Sequence, residues 1–207
     1  MRLIDGKEVC TELEEVVEPQ HTALLVVDLQ GDYENEHGAN LVLKSLPPVI
    51  AAARHAGVTV IYTRNTYLPY HRSLAPAQLR RLLESGYDPQ TQLAYYLDPS
   101  FCAIVPSVAP AKSERVIDKM RGSAFLGTEL EVVLRSNGIR TIVLSGKATD
   151  QCVMATLWDA LGKDYYTVAL KDCLSSNRPK GHLAALELMK TISDLAMGAD
   201  LIRTWTI

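Results

Sequence analysis

Absences narrow this chain before any motif does. No apolar run approaches the roughly 20 residues that a bilayer-crossing helix needs. The acidic stretch from Met1 to Gln20 lacks the apolar core of a secretory leader. Basic residues are not in excess: 21 Lys and Arg stand against 24 Asp and Glu, a formal charge of -3. No cationic surface therefore advertises nucleic acid or anionic lipid. Cysteine is sparse, with Cys10, Cys102, Cys152 and Cys173 far apart and no CxxC pair. That argues against a zinc site or a disulfide framework and for reduced thiols in a cytoplasmic protein. There is no Gly-x-Gly-x-x-Gly, so a nicotinamide cofactor has no support. Ser145-Gly146-Lys147-Ala148 lacks the upstream glycine and the following Ser or Thr of a phosphate loop.

What is present is an ordinary globular balance, 47% hydrophobic and 22% charged over 207 residues. With no repeat, low-complexity segment or linker, residues 1–207 read as a single domain able to bury its own core. Unbroken apolar runs such as Thr22–Leu29 suit strands buried on both faces of a parallel sheet. Further strands are expected at Val58–Thr63, Arg115–Lys119, Thr141–Leu144, Tyr165–Leu170 and Leu201–Trp205. Residues 1–20 read as a polar lead-in with one helical turn near Thr11–Val16. Helices are expected from Pro47 and Pro48 to Ala56 with Gly57 as its stop, from Pro76 to Glu84, from a Thr128 cap to Asn137, and over Lys180–Ile192. Residues 85–113, rich in proline and glycine, read as a long excursion with little regular structure, of the kind that forms lids or interface arms. Alternating strands and helices predict an α/β fold: three layers, with a mostly parallel six-stranded sheet flanked by helices.

In such sheets, sites form beyond the carboxyl ends of the strands. Three reactive groups sit at those ends: Asp28, Lys119 and Cys152. Thr149 reads as the N-cap of the helix after the fourth strand, which puts Cys152 in its first turn. Unpaired N–H groups and the helix dipole there favour an anion and are expected to lower the thiol pKa. Singly each residue has a structural explanation, respectively a turn cap, a solvated strand end and a core cysteine. Together they are a base, a cation and a nucleophile on one rim.

Three stretches then carry a resemblance. They are Leu25-Val26-Val27-Asp28-Leu29-Gln30-Gly31-Asp32-Tyr33, Val116-Ile117-Asp118-Lys119-Met120-Arg121-Gly122-Ser123-Ala124-Phe125-Leu126-Gly127-Thr128, and Gly138-Ile139-Arg140-Thr141-Ile142-Val143-Leu144-Ser145-Gly146-Lys147-Ala148-Thr149-Asp150-Gln151-Cys152-Val153. The chain resembles the isochorismatase-like cysteine hydrolases, a Rossmann-like family that includes nicotinamidases, N-carbamoylsarcosine amidases, ureidoacrylate amidohydrolases and biuret hydrolases. The likeness runs from about Thr22 to Ile192. It implies a catalytic Asp28-Lys119-Cys152 triad, a cis peptide before Ala148, and an oxyanion hole from the backbone N–H groups of Ala148 and Cys152. The implied activity is cleavage of a C–N bond in a small linear amide, ureide or N-carbamoyl compound through a thioester. The alternatives are a vinyl ether hydrolase acting on isochorismate, which needs no cysteine nucleophile, and a catalytically silent interaction module. The resemblance further implies a homo-oligomer, dimer or tetramer.

Two departures refine the resemblance. Nicotinamidases carry an Asp-x-His metal pattern with a further His after the second strand. Here Arg64 to His71 holds one His and no acid, so no metal and no cofactor are expected. Lys147 stands where the family usually has Val or Ile and has no assigned role. Candidate substrate groups are Arg64, Asn65 and Tyr67 at the end of the second strand and Arg178 after the fifth. The family's N-carbamoyl hydrolases place an arginine near Arg178 to grip a carboxylate. Phe125 and Trp158 are candidate pocket aromatics. His21, His37, His55 and His182 show no partner in the sequence.

Overall fold

The computed structural model describes residues 1–89 and 91–206. The chain begins with a two-stranded antiparallel hairpin, β1 (Arg2–Ile4) and β2 (Lys7–Val9), and a one-turn helix, α1 (Leu13–Val16). Where a polar lead-in was expected, Asp5 and Gly6, both at positive φ, turn the chain back on itself. Six further strands follow: β3 (Thr22–Val27), β4 (Thr59–Asn65), β5 (Arg115–Lys119), β6 (Thr141–Lys147), β7 (Tyr166–Ser175) and β8 (Asp194–Ala196). They form one parallel sheet in the order β5-β4-β3-β6-β7-β8.

Every residue of β3 is buried, as an apolar run covered on both faces requires. Its side chains alternate between two cores. Leu24 and Val26 join Val60, Tyr62, Val143 and Val168 on one face. Ala23, Leu25 and Val27 join Ile61, Ile142, Leu144 and Ala169 on the other. The first face is covered by α2 (Ala39–Ala56). The segment between β4 and β5 carries α3 (Pro76–Glu84), α4 (Gln92–Leu97) and α5 (Pro99–Cys102). Next come α6 (Leu130–Ser136), α7 (Met154–Leu161) and α8 (Pro179–Ile192), which cover the second face, and α9 (Gly198–Trp205), which returns to the first. The result is the expected three-layer α/β sandwich.

Several boundaries move, each for a physical reason. Pro47 and Pro48 lie inside α2 rather than opening it. Two missing donors cost the helix two backbone bonds, yet Val42, Leu46, Val49, Ile50 and Ala53 are all buried on one side. Burial of a large aliphatic side chain contributes about 1.5–3 kcal/mol, so that stripe outweighs the interruption. The strand expected at Leu201–Trp205 is instead helix α9, and the sixth strand is the short β8. Leu201 and Trp205, four apart, face the first core. The Asp200 carboxylate accepts the Met197 N–H at 3.0 Å at the helix start, and the Trp205 indole donates to the Val17 carbonyl at 2.9 Å. Strand β7 runs on to Ser175, five residues past its expected end. The 85–113 excursion holds short helices where irregular chain was expected, each of them opening after a turn or at a proline.

Topology fixes where a site forms. Strands β3, β4 and β5 progress outward in one direction and β6, β7 and β8 in the other, so the sheet reverses between β3 and β6. A crevice opens beyond the carboxyl ends at such a switch point. The two central strands meet there at Gly146, opposite Val27. A Cβ at Gly146 would lie 2.7 Å from the Val27 nitrogen and 2.8 Å from its carbonyl carbon, and φ is +104. Only glycine allows that approach. Gly146→Ala is expected to destabilise the protein by at least about 3 kcal/mol, measured by urea unfolding. A loss under about 1 kcal/mol would show that β6 shifts freely.

Candidate active site

Asp28 follows directly on β3, and its φ of 53 lies in the left-handed region that favours glycine. An aspartate held there costs about 1–2 kcal/mol, and surrounding bonds secure it. Its N–H donates to the Thr63 carbonyl at 3.1 Å. The Thr63 hydroxyl donates to Oδ1 at 2.8 Å. Lys119, the last residue of β5, places its ammonium 2.7 Å from Oδ2, with the lysine side chain fully buried. The same Nζ donates to Cys152 Sγ at 3.3 Å and to the Arg121 carbonyl at 3.0 Å. All three ammonium protons therefore have acceptors, which a buried cation requires. The three groups chosen from strand ends meet at one point.

Cys152 lies in the turn Thr149–Val153, which has π-helical bonding and leads into α7. The N-cap expected at Thr149 is not made. Its hydroxyl donates to the Ser175 carbonyl at 2.9 Å and pairs with His182 Nδ1 at 2.8 Å, tying the turn to β7 and α8. His182 thus has a partner the sequence did not show, as does His21 in the Gly138 carbonyl. The Ala148 carbonyl accepts from both Gln151 and Val153, and the Lys147–Ala148 peptide is cis.

The electrostatics reverse one expectation. Instead of being lowered, the Cys152 pKa is pushed up to about 11, first by burial and then by the neighbouring Asp28 charge, against the opposing pull of Lys119. Burial works against the Lys119 charge as well, but Asp28 and Cys152 together hold its pKa above the ordinary lysine value. The resting site is therefore a carboxylate–ammonium pair beside a neutral thiol.

A cavity of about 440 Å3 opens onto Asp28 and Cys152, within the usual range for small-molecule sites. One wall is aromatic: Tyr67, Tyr95, Tyr96 and Phe101. Tyr67 stacks on Tyr96 at 4.9 Å, and Phe101 meets Tyr96 edge-on at 4.8 Å. The opposite wall is polar, with Asp32, Glu36, Lys147, Gln151, Asn177 and Arg178. Gln30 fastens the excursion to the rim. Its Oε1 accepts from the Asn65 N–H at 2.6 Å, and its Nε2 donates to the Asn65 and Phe101 carbonyls. The Gly31 N–H bonds to Ala103 and the Val105 N–H to Leu29, both backbone to backbone.

Of the sequence candidates for substrate contact, Asn65, Tyr67 and Arg178 line this cavity and Arg64 and Phe125 do not. Arg64 pairs with Asp118. Phe125 is buried in the second core near Tyr165, and Trp158 is half exposed away from the cavity. Sequence reasoning missed Gln30, Asp32, Glu36, Tyr95, Tyr96 and Phe101. The one available signal was the density of aromatics between Tyr87 and Phe101. Lys147, without a role in the sequence, pairs with Glu36 and lies 5.6 Å over the Tyr33 ring. Among the described residues, no group of three or more His, Cys, Asp or Glu is placed to hold a metal ion, and no helix is long and apolar enough to cross a membrane.

Comparison with known proteins adds a lineage. The Isochorismatase domain model matches residues 22–205. A ureidoacrylate amidohydrolase RutB from Methylobacterium radiotolerans is 30% identical over 208 residues, covering 87% of this chain and 79% of the relative. Its namesake from Cronobacter sakazakii is 31% identical and covers 88% of both chains. Among solved structures, a cysteine hydrolase from Pseudomonas syringae pv. phaseolicola superposes with a TM-score of 0.81 at 22% identity, over 92% of this chain and 95% of that one. An N-carbamoylsarcosine amidase from Thermoplasma acidophilum gives 0.70 at 22% identity, over 86% and 96%. At those identities the structural likeness concerns the fold alone.

A raised thiol pKa favours the protonated form, so Cys152 is expected to ionise only as pH climbs toward 11. Its alkylation by iodoacetamide, followed peptide by peptide by mass spectrometry, should rise about tenfold per pH unit from 7 to 10. A plateau already reached at pH 8 would contradict this electrostatic picture.

Proposed function

The chain belongs to the isochorismatase family, and from that premise we propose that it is a cysteine amidohydrolase. Its reaction is cleavage of the C–N bond of a small linear amide, ureide or N-carbamoyl compound through a thioester on Cys152. The observation that carries this reading is Lys119 Nζ, buried and within hydrogen-bond reach of both Asp28 Oδ2 and Cys152 Sγ beside an open cavity. The relatives named for ureidoacrylate hydrolysis support the bond type.

Each residue then has a chemical task. Because the resting thiol is neutral, attack and deprotonation belong to one event. Sγ adds to the substrate carbonyl while its proton passes to the Asp28 carboxylate. Lys119 balances the charge that moves between Asp28 and sulfur, and it holds both groups in line. The carbonyl oxygen becomes an oxyanion, for which the backbone N–H groups of Ala148 and Cys152 are the assigned donors; such donors contribute about 3–4 kcal/mol each in other hydrolases. The C–N bond breaks, and Asp28 gives its proton to the departing nitrogen. Water then attacks the thioester, Asp28 takes a water proton, and sulfur leaves as the acid product forms. Sulfur recovers its proton from Asp28.

Asn65, Tyr67 and Arg178 are assigned to substrate contact from their place on the cavity wall. The Arg178 Nε is held by Asp150 at 2.9 Å, which fixes the guanidinium plane.

Ammonia release from a panel of primary amides and N-carbamoyl compounds tests the reading. Cys152→Ala is expected to lower kcat by at least about a thousandfold, and Asp28→Asn by about 10²–10⁴-fold. Turnover that survives Cys152→Ala would remove the nucleophile assignment. A wild-type chain silent on the whole panel would favour an interaction role.

A further inference from the structure

Resting on the hydrolase reading, we propose that the Lys147–Glu36 ion pair determines specificity, selecting substrates whose far end is an uncharged amide or ureide rather than a carboxylate. Both residues line the cavity that reaches Cys152. Lys147 ends β6, immediately before the turn that carries the nucleophile. Glu36 enters from the other side of the switch point, on the loop after β3, where its N–H is held by the Tyr33 carbonyl at 2.9 Å. The pair is partly buried, with 24% and 23% of the two side chains exposed. Tyr33, beneath the ammonium, is fully buried and hydrogen-bonded to Ser175 at 2.7 Å. The pair therefore rests on a fixed floor and does not wave in solvent.

The chemistry of that edge is specific. An ammonium carries three donors and a carboxylate several acceptor sites, so their mutual bond leaves capacity on both. Side by side they present a donor and an acceptor, the complement of an amide end, whose carbonyl accepts and whose N–H donates. A carboxylate end offers acceptors alone. It would satisfy Lys147 only by facing Glu36 and the neighbouring Asp32 with like charge.

The charge balance of the wall points the same way. Both cations lining the cavity, Lys147 and Arg178, already have acidic partners within the chain, Glu36 and Asp150. Asp32 adds a further acid to the wall, bonded to the Asn35 amide at 2.5 Å. Three acids thus stand with two cations, apart from the Asp28–Lys119 pair, which cancels itself. No surplus positive charge lines the cavity among the described residues. An anionic substrate that reaches either cation must also face its acidic partner with like charge, whereas a neutral one need not.

The test compares malonamide, succinamide and glutaramide with their half-acids, malonamate, succinamate and glutaramate. Ammonia release is read on wild type, and binding to Cys152→Ala is read by calorimetry. For the best-accepted length, wild type is expected to favour the diamide at least tenfold in kcat/KM, about 1.4 kcal/mol. Glu36→Gln should shrink or invert that ratio by improving the half-acid, since it frees the Lys147 charge. Lys147→Met should raise KM for the diamide with kcat within threefold, and Lys147→Arg should restore much of the loss. A structural role alone would depress diamide and half-acid together and leave the ratio unchanged, and that result overturns the proposal, as does a wild-type preference for the half-acid. If nothing turns over yet Cys152→Ala binds a diamide tenfold more tightly than its half-acid, the hydrolase reading fails while the selectivity stands. Absence of binding by every diamide overturns the selectivity itself.

Discussion

A lysine with no exposed side-chain surface sets the terms for this molecule. Removing an ammonium from water costs several kcal/mol unless its protons find acceptors and a countercharge. Lys119 finds Asp28, the Cys152 sulfur and the Arg121 carbonyl. Asp28 and Cys152 come from distant parts of the chain, so satisfying one cation requires β3, β5 and the Cys152 turn to close together. The site and the sheet are thus mutually dependent. Loosening the sheet strands a buried charge, and losing the charge leaves a carboxylate and a thiol facing each other without mediation.

The close approach of β3 and β6 makes that closure geometrically possible. Glycine at position 146 lets the strand backbones press together just where Asp28 turns out of the sheet. Beyond this seam the chain departs in opposite directions on the two sides. That divergence leaves the crevice into which Glu36, Lys147 and the aromatic wall project. One interstrand contact therefore shapes both the catalytic depth and the substrate mouth.

The positions of β3 to β7 and the Asp28, Lys119, Cys152 convergence were legible in the sequence because they depend on local pattern and on a general rule about strand ends. The helical nature of Leu201–Trp205 was also present, in the four-residue spacing of two core residues, but the β-branched Ile202 and Thr204 between them read equally as strand. Prolines 47 and 48 misled because proline's local penalty is visible in sequence while the burial that overrides it is not. The thiol pKa went the opposite way from a helix-terminus argument. Its dominant influences, burial and the distance to Asp28, are properties of the assembled site. Partnerships such as Lys147 with Glu36, or His182 with Thr149, link residues 111 and 33 positions apart. No periodicity encodes those.

The anchoring of the excursion has a consequence for how such a site diversifies. Gln30 and its neighbours grip the segment through main-chain atoms: the carbonyls of Phe101 and Ala103 and the N–H of Val105. The path of the chain from Phe101 to Val105 is therefore held independently of the side chains it displays. Phe101 amounts to interchangeable type set in a fixed frame. A change of letter there rewrites what the cavity reads without disturbing the machinery below it.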